Sequence, residues 1–318
     1  MPLLRDLETS QPSSLAISGG YQDRSPREEA GLWQRERFAG GLLTTCANPA
    51  CSSGWLHLLR SRSGPVFEGG WSCSPACTLA RVEAAVRREL DGRSADSAAR
   101  GAAMHRHRVP LGLVLLEQGW ITQEQLRKAL AAQKEAGQGR LGSWLMRQGV
   151  ISEQQVTRAL SLQWSCPVLQ TETLDAEAMA ACLPRLFIEA YGALPLRVAA
   201  GKILYLGFEE RLDLSIALAL ERMLGLQVET GIVSGSHFDL AQKRLIEASY
   251  PRAELVESAT EAPLARVLAR TLERRKPAAS RLVRLHDCLW LRLWPKLPSP
   301  STREAAACED VICSLVAG

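Results

Sequence analysis

The chain has 318 residues, 46% of them hydrophobic, and a formal net charge of +4. That length accommodates two or three domains with real cores, and so mild a charge does not define an obligate nucleic-acid partner. No apolar run approaches the roughly 18 residues of a membrane span, and the N-terminus has an early acid pair rather than a signal-peptide core, so a cytoplasmic location is expected.

In chain order, residues 1–35 are rich in Ser, Gly, Pro and charge, and their composition predicts disorder. Residues 36–91 form a distinct segment. Cys46 and Cys51 make one close pair and Cys73 and Cys77 another, with 21 residues between the pairs. Two close pairs across a loop can bring four thiolates into a tetrahedron around zinc. His57 lies inside the loop and is the weaker ligand candidate. The four cysteines are expected to hold a structural Zn, which would fold a segment with a thin core and leave no open catalytic position. The spacing and the WSCSPAC stretch resemble a small zinc-finger-like module. The helix TLARVEAAVRREL follows, and residues 92–105 read as a linker.

Residues 106–250 open on an internal repeat. LGLVLLEQGWITQEQLRKALAAQ at 111–133 returns as LGSWLMRQGVISEQQVTRALSLQ at 141–163, with ten of 23 positions identical. Each copy predicts a short helix, a glycine stop at Gly119 or Gly149, and a longer helix. Thr122 with Gln125, and Ser152 with Gln155, form the capping boxes. Short strands and helices alternate from 165 to 250. Residues 253–262 read as an acidic, Ala-rich connection. Residues 263–297 predict a C-terminal α/β module: a helix with Arg266, Arg270 and Arg274 on its solvated face, then two strands around a His286–Asp287 turn. Residues 298–318 read as a tail. The predicted class is therefore α+β: a tandem helix-turn-helix repeat, a small α/β subdomain, and a separate small zinc-finger-like module.

The second copy's Arg140-Leu141-Gly142, a glycine seven positions on, then Leu, Ala-Leu and Gln163, resembles the N-terminal domain of type II secretion and type IV pilus assembly ATPases. CPVLQ and LPRLFIEAYGALPLRVAAGKILYLGFEERLDL are similar to that family's α/β subdomain. In several relatives the tandem motif binds cyclic di-GMP, one copy per half-ligand. The resemblance implies ligand-binding roles for Leu111, Gly112, Gly119 and Gln133 in the first copy. It implies the same for Arg140, Leu141, Gly142, Gly149 and Gln163 in the second. Such a motif offers free helix-start N–H groups and an arginine fork to phosphate or guanine, leucines as an apolar floor, and a glutamine that both donates and accepts. The first copy departs from the pattern, with Pro110 in place of arginine; Arg108, two residues earlier, or His107 would have to substitute.

No phosphate-cradling GxxxxGK[ST] loop follows, and no nucleophile–base pair or catalytic metal spacing is found, so no enzyme is expected. The resemblance implies a regulatory or adaptor protein of a secretion or pilus-like system, with platform proteins or an assembly ATPase as partners. A scaffold with no nucleotide ligand is the alternative. A zinc-dependent nucleic-acid-binding protein is third, opposed by the mild charge.

Overall fold

The structure is a computed structural model that describes residues 45–53, 64–91, 108–297 and 308–315. The disorder expected for 1–35, the linker at 92–105, His57 and His107 lie outside these residues. None of the described helices is long and apolar enough to cross a membrane.

The cysteine segment begins with a hairpin of β1 (Val66–Phe67) and β2 (Gly70–Trp71). Glu68 and Gly69 turn it with φ of 45° and 70°, the double positive φ that suits the strand twist. Helix α1 (Pro75–Asp91) follows. Arg81 donates to the carbonyls of Phe67 and Gly70 and so pins the hairpin to α1.

The repeat builds α2 (Leu111–Glu117), α3 (Gln123–Ala136), α4 (Leu141–Arg147) and α5 (Glu153–Trp164). Gly119 and Gly149 take φ of 67° each, as helix stops require, and both expected capping boxes form. Next come α6 (Ala176–Ala180), α7 (Arg185–Tyr191), β3 (Leu194–Ala199) and β4 (Ile203–Phe208). Helix α8 (Leu214–Leu224), β5 (Gln227–Ile232) and α9 (Gly235–Ile246) complete this region. Strand β4 is central, antiparallel to β3 and parallel to β5. Gly201, φ 65°, turns the chain between β3 and β4.

The C-terminal region contains β6 (Arg252–Ser258), α10 (Glu261–Arg275), β7 (Ala279–Leu285), β8 (Cys288–Trp294) and β9 (Glu309–Leu315). The sheet order is β6-β9-β8-β7. Two expectations change here. The acidic connection begins as strand β6, and the tail supplies β9 in the middle of the sheet. Strand β6 is an edge with alternating exposure, so RAELVES buries little and reads as a loop. Strand β9 pairs parallel with β6 and antiparallel with β8, partners remote in sequence that no local pattern announces.

Strands β7, β8 and β9 of this sheet are buried on both faces. Val283, Leu285, Trp290 and Ile312 join the core of the repeat and three-stranded sheet. Leu282, Leu289, Leu291, Leu293, Val311 and Cys313 pack with Leu264, Leu268 and Leu272 of α10 and with Phe67, Val82 and Val86 of the cysteine segment. The cysteine segment thus shares its core with the C-terminal region: Glu68 N–H donates to the Ser280 carbonyl at 2.8 Å, and the Ser280 hydroxyl donates to Val66. The arginines of α10 face outward, as its apolar stripe predicts.

A buried ion pair holds the inserted strand. Arg292 (1% exposed) grips Asp310 (2%) through two bonds, Nε–H to Oδ1 at 2.7 Å and an Nη2–H to Oδ2 at 2.8 Å. Trp290 Nε1–H donates to the same carboxylate, and Arg292 reaches the carbonyls of Ala181 and Cys182. Both carboxylate oxygens and all three guanidinium nitrogens are thereby engaged, which offsets desolvation of the two charges. Asp310→Ala leaves a buried guanidinium unpaired and is expected to cost about 3–5 kcal/mol in urea unfolding. A loss below about 1 kcal/mol would show the pair to be incidental.

Candidate functional site

The two repeat copies make reciprocal contacts. A Cβ built on Gly112 would meet Leu126 Cδ1 at 2.8 Å and Leu141 Cδ2 at 3.3 Å. One on Gly142 would meet Val156 Cγ1 at 2.9 Å and Leu111 Cδ2 at 3.9 Å. Each motif glycine thus lets its short helix sit down on its own long helix, against the first leucine of the other copy. The glutamines complete the exchange. Gln133 donates to the Gly139 carbonyl at 2.7 Å, just before the second short helix, and Gln163 donates to the Val109 carbonyl at 2.7 Å, just before the first. Both bonds relate by the 30-residue offset.

The starts of α2 and α4 receive no side-chain cap, in contrast to α3 and α5. Beside them opens a cleft of about 210 Å³ lined by Leu111, Leu141, Gly142, Val156, Leu160 and Gln163, with Arg108, Arg140, Trp164 and Glu210. A second cleft of about 360 Å³ adjoins it and shares Arg108 and Gln163. The adjoining cleft falls within the range of about 300–1,000 Å³ usual for small-molecule sites, and the cleft at the helix starts falls below it.

Arg108 and Arg140 bring positive charge to one cleft. The Arg108 guanidinium lies 3.0 Å from the centre of the Trp164 ring, and burial together with nearby Arg211 disfavours its charged form relative to a free arginine. Arg140 takes part in ion pairs with both Glu209 and Glu210, each at 3.0 Å. Burial raises the Glu210 carboxyl above the usual range, although Arg140 opposes the shift. Trp164 Nε1–H donates to the Glu210 carbonyl.

Of the sequence candidates, Arg108, Leu111, Arg140, Leu141, Gly142 and Gln163 converge on this cleft. Gly112 is buried beneath Leu126 and Leu141, Gly119 and Gly149 end the short helices, and Gln133 holds the α4 start. Trp164, Glu209 and Glu210 were not anticipated. Trp164 adjoins Gln163 in sequence, a signal that was available; from the β4–α8 loop Glu210 lines the cleft and Glu209 reaches Arg140, which no local pattern indicates.

The other cluster is the one expected from spacing. The sulfurs of Cys46, Cys51, Cys73 and Cys77 all lie within 4.8 Å of one another. Cys73 Sγ is 3.6 Å from Cys51 Sγ and 3.7 Å from Cys77 Sγ. Four sulfurs each about 2.3 Å from a zinc ion sit about 3.8 Å apart, so the donor set fits a tetrahedral metal. The Cys73 N–H points at Cys46 Sγ at 3.5 Å, and Cys77 lies in the first turn of α1. Hydrogen bonds from the Ser53 N–H and hydroxyl lower the Cys51 thiol to about 6, while burial pushes Cys46 up to about 11.

No family model matches the chain, and no curated protein matches it. Among solved structures it is similar to a structure of MshE with cdg, at 29% identity and a TM-score of 0.37, covering 43% of this chain and 99% of that one. It is also similar to the N-terminal domain of XpsE, at 22% identity and a TM-score of 0.31, covering 42% and 92%. A second crystal form of XpsE aligns at 23% identity and a TM-score of 0.25.

The cross-packing predicts unequal glycine substitutions. Gly142→Ala drives a methyl into the stiff, β-branched Val156 and is expected to lose about 1–3 kcal/mol of stability. Gly112→Ala meets the far end of Leu126, which can yield, and a helical alanine gains about 0.5–1 kcal/mol. The second variant should therefore unfold close to wild type in the same urea titration. Equal losses would contradict the packing described.

Proposed function

We propose that this chain is a non-enzymatic regulatory or adaptor protein of a secretion or type IV pilus-like system, and that its tandem repeat senses cyclic di-GMP. The reading is carried by one observation: two equivalent helix starts, uncapped by side chains, face one cleft that holds Arg108 and Arg140. A ligand with two phosphates and two guanines is itself two-fold symmetric and presents one half to each copy. Arginine forks suit phosphate oxygens or the guanine edge. Leu111, Leu141, Val156 and Leu160 supply apolar surface for the bases. Arg108 stands in for the arginine that Pro110 displaces, reaching the cleft from two residues earlier. Bridging the two copies would fix their relative angle and bias what the domain docks against, with secretion-platform proteins or an assembly ATPase as partners in the cytoplasm.

Titration of cyclic di-GMP into the full chain is expected to give one nucleotide per repeat pair, weakened at least tenfold by Arg140→Ala. No heat from the wild type, with unfolding unaltered by the nucleotide, would refute the sensing role.

A scaffold without nucleotide is the second reading, favoured by the glutamates already on Arg140 and by the uncovered face of α3, where Leu130 remains 45% exposed. Capture of a platform protein that survives Arg140→Ala would support it.

The four cysteines are assigned a structural zinc, which ties β1, β2 and the start of α1 together. The purified chain is expected to carry about one zinc per molecule. Cys73→Ser should abolish this and lower thermal stability, because metal binding contributes folding energy. Full stability after chelation, with no zinc by elemental analysis, would overturn the assignment.

A further inference from the structure

The proposed cleft contains an anomaly for an anion site: two carboxylates already face its arginine. Glu209 and Glu210 both bond Arg140 Nη1 at 3.0 Å; the glutamate side chains are 34% exposed and that of Arg140 56%. We propose that Glu209 and Glu210 are a resident counter-anion for Arg140, which a phosphodiester ligand displaces, so that they set the affinity of the cleft and tie its occupancy to the 209–213 loop. This rests on the nucleotide reading above.

The electrostatics favour a displacement. Glu210 lines the same cleft as Leu141 and Gly142, so a phosphate bound to Arg140 there would sit against the carboxylates. Like charges at hydrogen-bond range in a partly desolvated site repel more strongly than in water. A phosphate on the remaining Nε and Nη2 donors would still face the two carboxylates held on Nη1, so binding gains when they move away. Glu209 Oε1 also lies near Gly235 at the start of α9, a twelve-residue helix whose first turn is held by Glu153, which accepts from the Ser236 N–H at 2.6 Å and hydroxyl at 2.8 Å. The positive end of that helix favours carboxylates.

The loop is anchored at both ends. Trp164 holds the Glu210 carbonyl at 2.6 Å. Asp213 caps α8 through the Ser215 N–H at 2.9 Å and meets His286 Nε2 at 2.8 Å, in the turn between β7 and β8. Release of Glu209 and Glu210 therefore acts on a short segment fixed to the C-terminal sheet. A disturbance at the cleft has a covalent and hydrogen-bonded route to that sheet.

The test compares wild type, the double variant Glu209→Gln/Glu210→Gln and the control Glu117→Gln by calorimetry with cyclic di-GMP. Glu117 lines the adjoining cleft and removes the same kind of charge without touching Arg140. The double variant is expected to bind at least roughly threefold tighter, in keeping with the modest strength of part-exposed ion pairs, and the control to match wild type. Binding by the double variant alone would support the counter-anion role and refute sensing by the wild-type chain. Equal or weaker binding by the double variant, or an equal gain in Glu117→Gln, would overturn the counter-anion role while leaving the nucleotide reading intact. If none of the three proteins binds, the nucleotide reading fails, and ligand-free amide exchange decides the resident pair separately. Exchange over 208–213 should quicken at least roughly threefold in both Arg140→Ala and the double variant; unchanged exchange in both overturns the pair.

Discussion

The arrangement of the repeat depends on how closely its two short helices approach. Gly112 and Gly142 have no side chains, so each helix drops onto the long helix of its own copy and against the leading leucine of the other. A side chain at Gly142 would meet the stiff Val156 and lift its short helix off the long one, whereas Leu126 opposite Gly112 can yield. The crossed glutamine bonds follow from the same closeness, since Gln133 and Gln163 reach carbonyls that flank the opposite helix starts only if those starts are adjacent. Uncapped helix starts and two arginines then share one concave surface as a consequence of packing.

A second constraint acts on the frame. The C-terminal sheet separates two cores and serves both, which is why β8 is apolar on both faces. Its middle strand arrives from the far end of the sequence and is fixed by Asp310 in the grip of Arg292. Glu89, at the end of α1, does similar work on the other side. Burial alone would raise its carboxyl, but Arg222 and Arg88 more than compensate and hold it below the usual carboxylate range. The Arg284 N–H also donates to it, so α1, α8 and β7 meet at one side chain. The cysteine segment is thereby joined to the region that carries the loop beneath Arg140.

Much of this was legible in the sequence because it is local. Capping boxes, glycine stops and the 30-residue echo are short-range signals, and the helices and strands of 165–250 follow from periodicity. The cysteine cluster was legible for the same reason: metal ligands come in close pairs. Strands β6 and β9 were not legible, since an edge strand with alternating acids and a seven-residue segment far along the chain acquire their structure only by pairing with each other and, for β9, with β8. The cleft was half legible. Arg140, Leu141 and Gly142 announce themselves by pattern, and Arg108 by its nearness to the position Pro110 takes. Glu209 and Glu210 become part of the site only because β4 ends beside the repeat.

The central claim is that two copies make one cleft and that a symmetric ligand engages both at once. Amide exchange with and without cyclic di-GMP measures this most directly, read at residues 110–114 and 140–144. Protection that rises at both helix starts together, over the same range of nucleotide concentration, is the predicted result. Protection confined to one copy, or found only elsewhere in the chain, would contradict it.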